Sequence, residues 1–380
     1  MADRVSWETL RPLASFRARR GCAISMYLDL DPSLAATAGD VATRINSLLI
    51  EGERQEAAKS PLLTHEQRVG VKTDFDRLRR FFEAEFDREG MQGFAVFVAG
   101  LDDFWATVEL PEPVRDMIGV GPDFRVAPLV PLATRPDGTL VAHVSREQGR
   151  LYSLRNGHLE EVADRTEEQP YGHHDQGGWS QSRYARHIDK LVAEHLKTVA
   201  TELEEQRRAG MPKIVLVCTE DTRAGFMETL SKEARSAVVG WTSVEAHAGP
   251  PELLQAVTPV LEEARALEES EVVDRWREEA GKGGRAAAGW RDTLDAASDA
   301  RVATLLYELG ARRAAFQCPQ CGRASVTNGA CPLDGTTMEP RDDGLDLAVH
   351  HTIARGGTAL PLEHSHDLDP VEGIGALLRF

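Results

Sequence analysis

Three apolar runs at 139–145, 150–154 and 158–162 are separated by little more than Gln148-Gly149 and Asn156-Gly157. Gaps this short admit only tight reversals, and glycine and Asn-Gly supply the positive backbone angles that such reversals need. The runs therefore pair as consecutive antiparallel hairpins. A helical repeat follows, with Tyr184, Ile188, Leu191, Val192, Val199 and Leu203 at helical spacing. The strand-like 214–218, a helical stretch near 223–232 and the apolar pair Val238-Val239 complete a block of hairpins first and alternating α/β afterwards.

The rest of the chain is organised around that block. With 380 residues the chain exceeds one ordinary core, so two or three domains are expected. An α/β region reads from an apolar strand at 22–30, helical patterns at 41–57 and 66–88, and strands at 94–99 and 105–110. The turn Arg135-Pro136-Asp137-Gly138 closes it. We place domains at 1–134, 135–270 and 271–380, the whole being a multidomain α/β protein. Acidic helices run from about 252 to 279, and 302–309 reads as a helix in the last region. The Gly281-Lys282-Gly283-Gly284-Arg285 break has no strand before it and no Walker pattern, which makes it a hinge or helix-packing turn instead of a nucleotide site. No apolar run approaches a membrane span, and the opening Met1-Ala2-Asp3-Arg4 leads into a polar segment, so a cytoplasmic protein with no membrane partner is expected.

The loop entering the long middle helix carries the chemistry. Gly177 and Gly178 adopt backbone angles closed to other residues and suit a loop tip pressed against another molecule. Trp179 and Gln181 follow, and Arg183, Arg186, His187 and Lys190 gather at the same end of the helix, a face suited to phosphate. His173 and His174 precede the glycines and read as solvated loop residues. The net charge of -17 opposes a nucleic-acid partner and argues against DNA, yet it is concentrated in runs such as Glu202-Glu204-Glu205, Glu262-Glu263 and Glu268-Glu269-Glu271, away from this end.

The segment from Gln176 to His187 resembles the tip of the catalytic domain in archaeo-eukaryotic class-1 release factors, where a Gly-Gly-Gln loop runs into a helix of Arg-aromatic-Ala-Arg character. Gly177 and Gly178 match the glycines and Arg183-Tyr184-Ala185-Arg186 the helix start, while Trp179 stands at the glutamine position. The whole chain, with its closing Glu372-Gly373-Ile374-Gly375 tail, is similar to bacterial relatives of these factors, a group that includes release-factor-like peptidyl-tRNA hydrolases and Balon-type ribosome hibernation factors. The resemblance implies an RNase H-like middle domain, which is also the order of the strands and helices above. It implies the ribosome as partner, with an elongation factor as a further one.

Cys318-Pro319-Gln320-Cys321 and Cys331-Pro332-Leu333-Asp334-Gly335 have the two-knuckle spacing of a zinc ribbon, inserted at 316–340 in the C-terminal α/β domain. Asp334 stands where a fourth cysteine would be, so the expected ligands of a structural zinc are Cys318, Cys321, Cys331 and Asp334. The alternative is a ribbon that folds by turn geometry without metal, and His364 and His366 are spare donors. With Cys22 and Cys218 inside apolar runs, the five cysteines form no disulfide framework.

Two functions compete. In one, the chain occupies the ribosomal A site and protects idle or stressed ribosomes; Trp179 favours this, because an indole cannot orient water as a carboxamide does. In the other, it is a rescue peptidyl-tRNA hydrolase in which Gln181, with the backbone of Gly177 and Gly178, positions the water and the developing oxyanion. A third reading, suggested by the acidic charge, is a metal-stabilised soluble α/β protein unrelated to ribosomes.

Overall fold

The computed structural model describes residues 5–34, 37–59, 63–88, 91–134, 138–155, 157–166, 179–245 and 248–380, with side chains except at 55–59 and 179–185. The chain divides into two compact units, Met1–Arg135 with Glu269–Phe380, and Pro136–Glu268.

In the first segment, helix α1 (Trp7–Ser15) starts on a capping box between Ser6 and Thr9. Then come β1 (Ala23–Asp29), α2 (Ala38–Lys59), α3 (His65–Ala84), β2 (Gly93–Ala99), β3 (Phe104–Leu110), β4 (Met117–Gly121) and the short α4 (Val130–Thr134). The strands form an antiparallel sheet in the order β3-β2-β1-β4. Both faces of β1 are buried, and its two-residue period sorts them: Ile24, Met26 and Leu28 pack with Leu48 and Leu49 of α2 and Phe75 and Leu78 of α3. Ala23 and Tyr27 belong to the opposite core, together with Leu10 and Leu13 of α1.

The middle unit contains β5 (Thr139–Val144), β6 (Gly149–Arg155), β7 (His158–Asp164), α5 (Trp179–Arg208), β8 (Lys213–Val217), α6 (Glu220–Thr229), α7 (Lys232–Ala237) and β9 (Val238–Thr242). Its sheet order is β7-β6-β5-β8-β9; the first three strands are antiparallel, whereas β5, β8 and β9 run parallel. This is the RNase H-like arrangement expected from the hairpin spacing. Leu140, Ala142 and Val144 face Leu196, Val199 and Leu203 of α5 and Phe226 of α6. The alternate residue Val141, with Val215 and Val217 of β8, packs against Leu253, Val257 and Leu261 of α8 (Pro250–Gly281), which carries the chain out of this unit.

After α8 come β10 (Ala286–Ala288), α9 (Gly289–Ser298), β11 (Val302–Glu308), a small sheet of β12 (Ala315–Gln317), β13 (Ala324–Ser325) and β14 (Glu339–Arg341), then α10 (Gly344–Ala354), β15 (Thr358–Leu362) and β16 (Ile374–Leu378). The larger sheet has the order β10-β16-β11-β15, with only β11 and β15 parallel. The segment read as a helix at 302–309 is thus the strand β11. It lies between two strands with both faces covered, so its apolar run lacks the alternation that marks a half-buried strand. Gly281–Arg285 is the exit from α8, where Gly283 takes a φ of 63° and the Arg285 N–H donates to Glu279. Trp290, Leu294, Leu347 and Leu378 share one core cluster with Leu10, Tyr27 and Phe97. The two outer segments, drawn from sequence as separate domains, therefore meet in a common interior.

Candidate functional site

The cysteine cluster is built by two copies of one turn. In the first, Cys318 N–H donates to the Arg323 carbonyl and Gly322 N–H to the Cys318 carbonyl, both at 2.9 Å; in the second, Cys331 N–H donates to Thr336 at 2.8 Å and Gly335 N–H to Cys331 at 2.9 Å. Gly322 and Gly335 take φ of 83° and 74°, which is why each knuckle needs glycine after its second donor. The Cys321 N–H also points at the Cys318 sulfur, 3.4 Å away.

Face to face, the knuckles bring Cys318 Sγ within 3.4 Å of Asp334 Oδ2 and Cys321 Sγ within 3.5 Å of Cys331 Sγ. All four donor atoms lie within 4.8 Å of one another, a cluster able to hold a metal ion. The Thr336 N–H, 2.9 Å from Asp334 Oδ1, holds that carboxyl far below its usual range, so it is ionised. Desolvation, reinforced by the Cys331 and Cys318 thiols and by Asp334, pushes the Cys321 thiol up to about 12. Four potential anions crowded in this way are relieved by a divalent cation, and three sulfurs with one carboxylate fit zinc. His364 lies elsewhere, 3.0 Å from Glu269 Oε1, and neither it nor His366 is among the clustered donors.

The ribbon is seated on a buried polar junction that no motif announced. Arg17 donates to the Pro319 carbonyl at 3.0 Å. Arg17 Nε and an Arg341 nitrogen each stand 4.0 Å from the Asp123 carboxylate, and His350 Nε2 stands 3.9 Å away. Asp123 is only 3% exposed, and neither of its oxygens has a direct hydrogen-bond partner. Beside it, burial lowers His351 to about 4, chiefly by desolvation, with His350 adding to the effect. The unfolded chain binds this proton near pH 6.5 and the folded chain does not, so stability falls as pH drops from 6.5 towards 4, by about 3 kcal/mol if the full shift is realised. We expect His351→Leu to flatten that limb of the stability profile in denaturant titrations at successive pH values; an unchanged slope would refute the assignment.

The loop residues Gly177 and Gly178, like His173 and His174, lie outside the described residues, and the side chains of Trp179, Gln181 and Arg183 do so as well, although α5 begins at Trp179. What is described is the stalk behind them. The helix is fixed to the sheet from His195 onwards, through Leu196, Val199, Ala200 and Leu203, while Arg186, His187 and Lys190 are exposed and no residue from 186 to 194 is buried. The sixteen residues 179–194 give a reach of about 24 Å. Lys190 pairs with Glu194 at 3.7 Å and Asp189 with Arg146 at 3.6 Å, both in solvent. Because the Debye length is about 8 Å at physiological salt, charge at the far end of such a stalk is felt largely apart from the acidic surface at its base.

Residues 125–265 match the family described as Bacterial archaeo-eukaryotic release factor family 10. Peptide chain release factor subunit 1 of Archaeoglobus fulgidus is 24% identical over 367 residues, covering 89% of this chain and 87% of the relative. Its counterpart from Methanobrevibacter smithii is 23% identical, covering 83% and 78%. Among solved structures, Archaeoglobus fulgidus Pelota is similar over 78% of this chain and 82% of its own, with 17% identity and a TM-score of 0.36. S. cerevisiae Dom34 is similar over 76% and 79%, with 13% identity and a TM-score of 0.40.

Proposed function

Because the chain belongs to the archaeo-eukaryotic release-factor-like family, we propose that it is a ribosome-associated translation factor that enters the A site and aims its Gly177-Gly178 loop at the peptidyl transferase centre, protecting ribosomes in hibernation. The observation that carries this is the exposed, basic N-terminal part of α5, held out from an RNase H-like sheet by an anchored second half. Its partners are the ribosome, with tRNA or rRNA at the loop, and an elongation factor, in the cytoplasm. No helix among the described residues is long and apolar enough to cross a membrane. In this reading zinc is the ion held by Cys318, Cys321, Cys331 and Asp334; it ties the two knuckles together, and the cluster itself offers no general base. The independent reading as a metal-stabilised protein unrelated to ribosomes loses its ground with the family assignment.

A second reading, peptide release from tRNA, rests on Gln181, two positions beyond the tryptophan that replaces the family's glutamine. The experiment for the shared part of both is co-sedimentation with ribosomes, followed by mapping of the bound site. Replacing Arg183, Arg186 and Lys190 together by Glu reverses three charges at the stalk's end. We expect binding to be lost while the circular dichroism spectrum is kept, and wild-type binding to weaken steeply with salt. A folded triple variant that sediments with ribosomes as the wild type does would remove α5 from the contact.

A further inference from the structure

The three thiols differ in access. Cys321 is exposed, whereas Cys318 and Cys331 are buried, at 0% and 2% exposure. The exposed sulfur lies 3.5 Å from that of Cys331, while Cys318 is turned to Asp334. Disulfide bonding needs the sulfurs at about 2.05 Å, so the pair must close by about 1.5 Å, a shift within the reach of side-chain torsions on two short knuckles. A set of three thiolates and one carboxylate also holds zinc with less soft-donor character than four thiolates would. Bound thiolates are the nucleophilic form of cysteine, and here one of them faces solvent.

We propose that the cluster is an oxidation site for peroxide-class oxidants, in which Cys321 and Cys331 close to a disulfide and the metal is released. This rests on the metal reading of the same four residues. The Cys321 thiolate attacks one peroxide oxygen, the O–O bond breaks, a sulfenic acid forms, and the leaving hydroxide takes a proton from solvent to become water. The Cys331 thiolate then attacks the Cys321 sulfur, the S–O bond breaks, and the hydroxide that leaves is protonated by solvent to a second water. The two sulfurs together lose two electrons and the peroxide gains them. Cys318 remains a thiol beside Asp334, and a dithiol reductant with zinc restores the starting state.

The test uses the full chain as purified, with metal content measured first. Hydrogen peroxide is added with a chromogenic zinc chelator present, and peptides are mapped without reduction. We expect release of the bound zinc and a cross-link joining the peptides that carry Cys321 and Cys331, both reversed by dithiothreitol with zinc. Cys321→Ser removes a zinc ligand and so starts with little metal; it should leave Cys331 without a cross-link partner under peroxide, with no substitute link to Cys318. Absence of the cross-link, or its formation through Cys318, Cys22 or Cys218, overturns the proposal. A metal-free starting protein that still forms the Cys321–Cys331 link supports the thiol site and sinks the metal reading instead, whereas zinc at the outset and no link sinks the thiol site alone.

Discussion

Cys331→Ser is expected to carry less than about a tenth of the zinc bound by the wild type, and its ribbon, residues 315–341, is expected to lose amide protection while the sheet of the middle unit keeps it. Cys331 is 2% exposed, and its sulfur faces that of Cys321 across the centre of the cluster. A serine hydroxyl does not ionise near neutrality, so the set falls to two thiolates and a carboxylate. Structural zinc contributes on the order of 10–16 kcal/mol to small zinc modules, comparable with the entire stability of a domain, about 5–15 kcal/mol. The ribbon's own apolar core is small, consisting of Cys318, Cys331 and Met338 with Phe316 packed against it, and cannot make up that loss. Asp334→Asn keeps the volume but gives up the ionised ligand and should lie between the two. Metal analysis with hydrogen exchange decides it: equal zinc in wild type and Cys331→Ser would remove the metal from this account.

The second large effect concerns the loop. Under the proposed A-site role, wild-type protein added to ribosomes carrying peptidyl-tRNA should release little or no peptide, yet block entry of other factors. Water attack on the ester requires a dipole positioned where charge develops, and losing one such group costs about 10²- to 10³-fold in rate. The indole of Trp179 donates one hydrogen bond and accepts none, so it cannot hold water from both sides. Trp179→Gln completes, with Gly177 and Gly178, the Gly-Gly-Gln tripeptide of the release factors that this loop resembles, and should gain release by about that factor if the scaffold still places its loop. If instead the natural protein is the hydrolase, release will be robust in the wild type and Gln181→Ala will cut it by the same 10²- to 10³-fold. That result would overturn the protective role in favour of rescue.

The middle sheet was legible because its signals are local: hairpins spaced by Gln148-Gly149 and Asn156-Gly157, then period-two alternation that sorts Leu140 and Val141 onto opposite faces. The knuckles were legible for the same reason, since every ligand and both glycines fall within the eighteen residues from Cys318 to Gly335. Strand β11 was not, because a central strand and a buried helix present the same apolar run to a reader of sequence. Nor was the seat of the ribbon, for Arg17, Asp123, Arg341 and His350 come from distant segments, and nothing in any one of them foretells the others. The shared interior of the outer segments is equally non-local.

That shared interior also sets a timetable for synthesis. The apolar face carrying Leu10, Tyr27 and Phe97 is made early, but the residues that complete its cluster, among them Trp290 and Leu294, follow only after the whole middle unit has been translated. At about 5–20 residues per second, the interval from Phe97 to Leu294 is roughly ten to forty seconds. During it the middle unit, continuous in sequence, has all the partners it needs, while the first segment holds an apolar sheet face only partly covered by its own residues. Two nascent chains side by side on one messenger could then exchange their late segments, each sealing the other's early one, so intertwined dimers are the misassembly to look for when this protein is overproduced.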